Sequence, residues 1–336
     1  MKQWMMPANA TTADELVLEH ASIPEPGAGE VRIRVDALAL NARDTMILAG
    51  PFGRLPGVDL VPLSDVAGTV DAVGPGVTHW SVGDKVTRVH APEWMDGLPV
   101  PFGVGAGSMN DQGAAAEYVV LPEETVVAAP SNLDAAEAAT LQVAGVTAWN
   151  ALFEGKPIGA GDKVLVLGSG GVSLFALQLA RAVGAEVYVG VRHGMDDPRW
   201  AGLGVAGVVD TTIKTWPSEV VKLSGGVTKV INSVGAGIIN DCLGALEGGG
   251  EVAVLGLYDQ NPPQLDMMAL IGKQASVRGV AVGSGQMHRD LTAFIEKHSI
   301  KPIIDRSYPF DSLPDAFSEF GSRPVFGKVV ITPENN

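Results

Sequence analysis

With 336 residues, of which 46% are hydrophobic, the chain is long enough for two domains with a sizeable core. Its net charge of −15 argues against nucleic acid or a membrane as a partner, and its single cysteine, Cys242, excludes an intrachain disulfide and a cysteine-based metal site. The N-terminus has no apolar run typical of a signal peptide, and no window of about 18 apolar residues occurs, so we expect a cytoplasmic protein.

Residues 1–125 contain short β-type runs separated by glycine and proline turns, which predicts a partly open antiparallel barrel or twisted sheet. Residues 92–116 are rich in Gly and Pro and predict a long surface loop of a kind that often binds ligands. Phe52, Trp94 and Met109 are candidates for an apolar substrate pocket, although residues that merely pin the loop would look the same. The clearest β-type runs are Val31–Val35, Ala67–Val73, Lys85–Val89 and Glu117–Leu121.

From about residue 126 the pattern changes to alternating helices and strands. A long helical stretch, Ala135–Phe153, precedes six apolar strands with helices between them, which predicts a doubly wound parallel sheet. We therefore expect a β-rich domain of residues 1–125 and 299–336, a dinucleotide domain of residues 126–298, and a substrate cleft between the two. The six predicted strands are Lys163–Leu167, Glu186–Val191, Gly207–Asp210, Thr228–Asn232, Glu251–Leu255 and Ser276–Val282.

Residues 163–193 carry the most informative motif, a strand, a glycine turn, a helix and a second strand. In a βαβ unit of this kind Gly168 permits the tight turn, Gly170 lets a phosphate approach the backbone, and the helix N-terminus offers free N–H groups. Ser173 stands where the usual fingerprint has a third glycine or an alanine. The residues expected around a dinucleotide pyrophosphate are Gly168, Ser169, Gly170, Gly171 and Val172.

The end of the second strand bears on which dinucleotide binds. Enzymes that use NAD usually place Asp or Glu about 20 residues after the first glycine, where it binds the ribose 2′-hydroxyl. The corresponding window, Tyr188–His193, contains no carboxylate. Arg192, with His193 beside it, is suited to clamp a 2′-phosphate, and the alternative is an ordinary exposed arginine at a strand end. The sequence favours NADP(H).

Six segments together resemble the medium-chain dehydrogenase/reductase superfamily, most closely its zinc-free branch of quinone oxidoreductases, enoyl reductases and alcohol-dehydrogenase-like proteins. The resemblance covers nearly the whole chain. It implies an α/β fold with a GroES-like β-rich catalytic domain plus a Rossmann doubly wound parallel sheet, and a homodimer that pairs through Ser276–Val282. The segments are Leu40–Asp44, Leu63–Gly68, Val82–Val86, Ala116–Val120, Ala144–Trp149 and Phe326–Val330.

Departures from the zinc-dependent members bear on the chemistry. Those members have Cys near the position of Asn41 and Gly-His-Glu near Leu63-Ser64-Asp65, whereas this chain has Asn and Ser at the ligand positions. A different site from Asp65 and His90 is a weak alternative, and we expect no metal. Without a Lewis acid, alcohol oxidation is difficult, but quinones and α,β-unsaturated carbonyls spread the charge that a hydride brings.

The resemblance places Asn41 at the active cleft, where it could donate a hydrogen bond to the acceptor oxygen or to the nicotinamide ribose; a turn-stabilising role is the alternative. Asp44 is a second catalytic candidate, with a local structural role as its alternative. No general acid is evident among the 4 tyrosines. The further cofactor contacts that the resemblance implies are Thr147, Ser233, Val234, Leu255, Gly256, Tyr258, Val280, Ala281, Val282, Phe326 and Lys328.

These features favour a zinc-independent NADPH-dependent oxidoreductase that transfers hydride to a quinone or an α,β-unsaturated carbonyl, which is a small electrophilic substrate. Two alternatives stay open. One is an NADP(H)-binding redox sensor or structural protein without turnover. The other is an alcohol dehydrogenase with an atypical site.

Overall fold

The computed structural model describes residues 1–50, 52–99, 105–109, 111–257 and 264–333. Its strands are β1 (Lys2–Met5), β2 (Val17–His20), β3 (Glu30–Leu40), β4 (Asp65–Val73), β5 (Lys85–Arg88), β6 (Tyr118–Pro122), β7 (Val126–Ala128), β8 (Lys163–Leu167), β9 (Glu186–Val191), β10 (Gly207–Asp210), β11 (Val227–Asn232), β12 (Leu246–Val254), β13 (Ser276–Gly279), β14 (Ile304–Pro309) and β15 (Lys328–Thr332). Its α-helices are α1 (Ala42–Ala49), α2 (Ala135–Ala138), α3 (Val146–Phe153), α4 (Gly171–Ala182), α5 (Arg199–Gly202), α6 (Trp216–Ser224), α7 (Ile239–Ala245), α8 (Met267–Lys273), α9 (Gly285–His298) and α10 (Leu313–Ser322).

The chain divides into two compact units. The terminal unit consists of Met1–Val146 and Val282–Asn336, and the central unit consists of Thr147–Ala281. The sequence placed these boundaries after residues 125 and 298, so the terminal unit is larger than expected. It is larger because β7 pairs with β5 and because α9 packs on β7.

The terminal unit is built on a twisted sheet. Among its described residues, the strands run in the order β14-β15-β3-β4-β5-β7, and β6 pairs with β3. All pairs are antiparallel except β14 with β15. In the first half of β3 the buried side chains alternate with more exposed ones, as in a strand with one face on a core. The register brings the end of β3 beside the starts of β4 and β15, because Ala39 lies opposite Asp65 and Leu40 opposite Val329.

The central unit contains the predicted parallel sheet. Its described strands run in the order β10-β9-β8-β11-β12-β13, and every neighbouring pair is parallel. The strand β8 is buried at four consecutive positions, which is typical of strands that helices cover on both faces. The order reverses direction at β8 and β11, and ligands of such sheets bind outside the strand ends at that point. The predicted fold class is confirmed.

One predicted helix, Ala135–Phe153, is interrupted. Between α2 and α3 the residues Leu141–Gly145 form a π-helical turn. The fully buried Gln142 in this turn donates its amide to the Val66 carbonyl at 2.6 Å and accepts the Val66 N–H at 2.7 Å. The wider turn is explained by this tertiary contact, which periodicity along the chain cannot reveal.

The single cysteine, Cys242, is fully buried in α7. None of the helices in the described ranges has the length and apolar character needed to cross a bilayer. The cytoplasmic location stays a prediction.

Candidate functional site

The turn between β8 and α4 fits a dinucleotide pyrophosphate. Gly168 has a φ of +89°, a conformation that favours glycine, and its N–H donates to the Gly190 carbonyl at 2.7 Å. Gly170 is the N-cap of α4, and a Cβ built there meets no atom within 4 Å. The first turn of α4 has no acidic residue that would repel an anion. The backbone therefore leaves open space in front of free helical N–H groups.

Two serine hydroxyls support this turn from behind. The Ser173 hydroxyl donates to the Leu167 carbonyl at 2.7 Å, and the Ser233 hydroxyl bonds the same carbonyl. The two hydroxyl oxygens lie 3.3 Å apart. Ser173, which replaces the third small residue of the fingerprint, therefore ties α4 to the end of β8. Ser233, a predicted cofactor contact, directs its hydroxyl at the backbone.

The sequence analysis missed Asn232, which orders the loop after β11. This fully buried residue donates its amide to the Gly235 carbonyl at 2.7 Å and accepts the N–H groups of Val234 and Gly235, each at 3.0 Å. A Cβ on Gly256 would lie only 2.3 Å from the carbonyl carbon of Ser233, so the ends of β11 and β12 approach closely. An asparagine that ends a strand just before Ser-Val-Gly was the available signal.

The remaining predicted cofactor residues lie in several elements, and their contacts with a cofactor stay predictions. Thr147 is buried in the first turn of α3, and Val280 continues β13 by donating its N–H to the Val254 carbonyl at 2.8 Å. Val282 belongs to the terminal unit and has a φ of +46°, which is strained for a β-branched residue. The others are Leu255 and Gly256 after β12, Ala281 after β13, and Tyr258, which lies outside the described residues.

Arg192 and His193 follow β9 and are exposed. The nearest strand end is that of β10, where Asp210 lies opposite Val191 in the register. The Asp210 carboxylate accepts bonds from the Thr212 hydroxyl at 2.6 Å and the Thr212 N–H at 2.8 Å, and these bonds lower its pKa. That carboxylate is committed to its own turn, while Arg192 extends into solvent.

In the terminal unit a buried ammonium group lies beside the predicted catalytic asparagine. Lys328 is 3% exposed, and its Nζ lies 3.0 Å from the Leu40 carbonyl, 2.5 Å from Asn41 Oδ1 and 3.4 Å from Asp65 Oδ2. Burial lowers the pKa of Lys328, and the negative charge of Asp65 opposes that shift. The Ser64 hydroxyl donates to the other oxygen of Asp65 at 2.9 Å. The predicted cofactor contact of Lys328 stays a prediction.

Asn41 is the N-cap residue of α1, a helix that the sequence analysis did not predict. Its N–H donates to Asp44 Oδ2 at 2.8 Å, and its carbonyl accepts the Asp44 N–H at 3.0 Å. The residue is 7% exposed, and its Nδ2 has no hydrogen-bond partner among the described residues. Asn41 therefore has one uncommitted polar group, an amide donor.

Asp44 is buried and contributes to local structure. Besides its bonds to Asn41, its Oδ1 lies 3.1 Å from the Arg43 guanidinium. Burial raises the pKa of Asp44 to about 6, while the positive charge of Arg43 acts in the opposite direction. These contacts match the structural alternative for Asp44, and its catalytic role stays a prediction.

The predicted pocket residues of the terminal unit have mixed environments. Phe52 packs against the core, and the next residue, Gly53, accepts the Met109 N–H at 2.7 Å. Trp94 is buried, and its indole donates to the Gly97 carbonyl at 3.1 Å. Phe326, a predicted cofactor contact, is also buried. Through the bond from Met109 to Gly53 the structure brings the backbones of Phe52 and Met109 near each other.

The donor set around Asn41 does not suit zinc. It consists of an amide oxygen, a hydroxyl and the carboxylates of Asp65 and Asp44. Asp44 accepts the Asn41 N–H and pairs with Arg43, and the Lys328 ammonium already lies beside Asp65. Within the residues that the structure describes, no group of three or more His, Cys, Asp or Glu side chains could hold a metal ion. The glycine turn, in contrast, fits a dinucleotide.

Comparisons with known proteins agree with this architecture. Residues 27–131 match the alcohol dehydrogenase GroES-like domain, and residues 171–297 match the zinc-binding dehydrogenase domain. The chain is 35% identical over 330 residues to a zinc-type alcohol dehydrogenase-like protein of Schizosaccharomyces pombe, and the match covers 95% of each protein. It is 29% identical over 306 residues to a quinone oxidoreductase of Pongo abelii, covering 88% of this chain and 86% of the relative.

Solved structures extend the comparison. A provisionally assigned alcohol dehydrogenase from Sinorhizobium meliloti 1021 has a TM-score of 0.90 and 36% identity, covering 99% of each chain. An NAD-dependent alcohol dehydrogenase has a TM-score of 0.88 and 31% identity over 99% of each chain. A mycobacterial protein complexed with NADPH has a TM-score of 0.82 and 26% identity, covering 99% of this chain and 100% of that one. With this fold, these domains and these relatives, the chain belongs to the medium-chain dehydrogenase/reductase superfamily of oxidoreductases.

Proposed function

We propose that the protein is a zinc-independent, NADPH-dependent reductase of quinones or α,β-unsaturated carbonyls. The observation that carries the proposal is the uncommitted Asn41 amide, held by a buried ammonium where zinc-dependent members have a metal ligand. The quinone oxidoreductase among the relatives supports this class of acceptor.

The reaction needs a hydride source and a donor for one oxygen. Bound at the glycine turn of the central unit, NADPH would supply the hydride. An enone that gains hydride at its β-carbon carries the displaced electron pair on its carbonyl oxygen, and a quinone likewise becomes a hydroquinone anion. Asn41 donates its Nδ2–H to that oxygen and stabilises the charge, and one proton from water completes the reduction.

This arrangement suits delocalised charge better than localised charge. An alkoxide concentrates its charge on one oxygen, and enzymes that handle it commonly use a metal as Lewis acid. An enolate or hydroquinone anion spreads the charge over several atoms and needs less stabilisation at any one of them. One hydrogen bond beside a positive side chain therefore supplies a larger share of that stabilisation. Alcohol oxidation therefore remains the second candidate, favoured by the names of several relatives.

The choice of NADPH over NADH rests on Arg192. Its guanidinium is exposed at the end of β9, where an NAD enzyme usually has a carboxylate. A planar guanidinium matches the oxygens of a 2′-phosphate. The mycobacterial structure with NADPH supports this choice. Because another similar protein is NAD-dependent, the affinities for NADPH and NADH have to be compared by measurement.

We also propose a homodimer formed by the central unit. The strand β13 is the outermost described strand of the parallel sheet and would otherwise leave its edge unpaired. The neighbouring α8 exposes Met267, Met268 and Ile271 at 53%, 77% and 63% of their surface. Exposed apolar side chains beside an open sheet edge are typical of an interface.

The test is steady-state turnover with NADPH and NADH against quinones, enones and simple aldehydes. We expect reduction of a quinone or an enone, and an Asn41→Ala variant that loses about 100-fold in kcat with unchanged NADPH affinity, as for removal of one oxyanion donor. Asn132→Ala is the control, since Asn132 is a partly buried asparagine of the terminal unit whose side chain also has an unpartnered atom, Oδ1, among the described residues. Turnover of aldehydes alone would favour the alcohol dehydrogenase, and NADPH binding without any turnover would favour a sensor.

A further inference from the structure

The buried lysine beside the candidate donor has a role of its own. We propose that Lys328 is the positioning residue for Asn41: its ammonium holds the side-chain amide so that Nδ2 is the free donor for the acceptor oxygen. This inference rests on the proposed function. It assigns to a lysine the positive charge that a metal ion provides in zinc-dependent members.

The contacts of Lys328 fix the orientation of the Asn41 amide. An ammonium has three N–H donors and no acceptor, and here it meets the Leu40 carbonyl, Asn41 Oδ1 and Asp65 Oδ2 at 3.0, 2.5 and 3.4 Å. The opposite amide orientation would bring the NH2 group against the ammonium at the same short distance, with donors facing donors. The chemistry of the partner therefore decides which end of the amide is free.

All other polar groups of Asn41 are committed. Its N–H and carbonyl bond Asp44, and its Oδ1 accepts from Lys328. Only Nδ2 has no hydrogen-bond partner among the described residues, and the residue is only 7% exposed. Most buried donors in folded proteins are hydrogen-bonded, and a catalytic role is one explanation for a donor that is not. The structure thus leaves the Nδ2 donor available to a ligand and holds it in a fixed position.

The charge of Lys328 also strengthens that donor. A positive group bonded to the amide oxygen polarises the amide and makes its N–H a better donor to a developing negative charge. The carboxylates of Asp65 and Asp44 favour the charged lysine and counter the effect of burial. The pairing of β15 with β3 makes this arrangement possible. Lys328 is the first residue of β15, and Leu40, which precedes Asn41, is the last residue of β3.

The central unit offers a matched lysine as a control. Lys229 is 1% exposed, and its Nζ lies 3.0 Å from the Ala151 carbonyl, 3.3 Å from the Leu152 carbonyl and 2.9 Å from Glu251 Oε1. Like Lys328 it is a buried ammonium among carbonyls and one carboxylate. No side-chain amide is among these acceptors, so its removal reports the structural cost alone.

The experiment compares Lys328→Met, Lys328→Gln and Lys229→Met in the full chain, together with Asn41→Ala and the Asn41→Ala/Lys328→Met double variant. We expect Lys328→Met to lose about 10- to 100-fold in kcat, as for a donor displaced by about 1 Å. Lys328→Gln keeps an N–H donor for Asn41 and should recover part of the activity. The kcat of the double variant should be no lower than that of Asn41→Ala, because both changes remove the same function, the hydrogen bond from Asn41 Nδ2.

Lys229→Met should lower Tm as much as Lys328→Met without a matching loss of kcat. Equal kcat losses in these two variants, or additive losses in the double variant, would overturn the proposal. If Lys328→Met does not fold, the same comparisons are made with Lys328→Gln.

A second readout does not depend on turnover. In protein labelled with ¹⁵N-asparagine, the Asn41 side-chain amide, assigned through Asn41→Ala, should shift in Lys328→Gln and stay in place in Lys229→Met. An unchanged Asn41 resonance would overturn the positioning role. If the wild-type protein reduces none of the acceptors, the proposed function fails, and this resonance alone still upholds or refutes the contact.

Discussion

Replacement of Gly170 by alanine tests the glycine turn as a dinucleotide site. Gly170 has a φ of −75°, and a Cβ there meets no atom within 4 Å, so the added methyl brings neither backbone strain nor a clash. Alanine is a poorer N-cap than glycine for α4, which costs about 0.5–1 kcal/mol of stability. The variant should therefore fold and melt only slightly below the wild type.

The same open space is where a phosphate would approach the backbone. A methyl group there keeps the phosphate away and removes one charge-assisted hydrogen bond, worth about 1.5–3 kcal/mol. At about 1.4 kcal/mol for each factor of ten, we expect Kd for NADPH to rise about 10- to 150-fold. NADH should lose affinity by a similar factor, because both dinucleotides share the pyrophosphate.

The assay is a titration of nicotinamide fluorescence, with Tm measured on the same samples. Gly202→Ala is the control, because a Cβ on this α5 glycine of the central unit also meets no atom within 4 Å. It should bind both dinucleotides normally and gain up to about 1 kcal/mol of stability. Wild-type affinity in Gly170→Ala would refute the inferred position of the pyrophosphate, and a large loss of stability would refute the open space.

Three further predictions address the cofactor, acid stability and assembly. Arg192→Ala should raise Kd for NADPH about 30-fold, the equivalent of about 2 kcal/mol, and hardly affect NADH, whereas equal losses would argue against a 2′-phosphate contact. Burial lowers the pKa of His288 from 6.5 to about 4, so the unfolded chain takes up a proton first and the protein should lose about 3 kcal/mol of stability as the pH falls from 7 to 4. Denaturant unfolding should show that His288→Gln lacks this loss, and an identical pH dependence would contradict it. Ile271→Asp on α8 should yield monomers in sedimentation, while Val221→Asp on α6, another exposed apolar position, should leave the dimer intact.

Local patterns predicted most of the fold. The strands β8 and β9 of the central unit are largely apolar runs next to glycine turns, and local sequence is enough to identify them. The helix α1 was missed because Asn41 was interpreted as a catalytic or turn-stabilising residue and Asp44 as a catalytic or local structural residue. Asn and Asp at this spacing also fit a helix cap. The break near Gln142 was missed because its bonds to Val66 join residues far apart in the chain.

In the candidate site, too, local sequence predicts some features, whereas others depend on contacts between distant residues. The glycine turn is contained in one βαβ unit, so the sequence indicated both its position and its ligand chemistry. The contact of Lys328 with Asn41 joins residues 287 positions apart and depends on how β15 and β3 pair. From sequence, Lys328 was placed among the cofactor contacts, and no spacing pattern indicated that its ammonium lies beside the candidate donor.

We expect the reduction to proceed without a metal ion. The most direct measurement is NADPH oxidation by chelator-treated protein, with its metal content determined on the same sample, in the presence of a quinone or an enone. We predict full turnover by protein that holds far less than one zinc ion per chain. Activity that disappears with the metal and returns when zinc is added back would show that the reaction needs a metal ion.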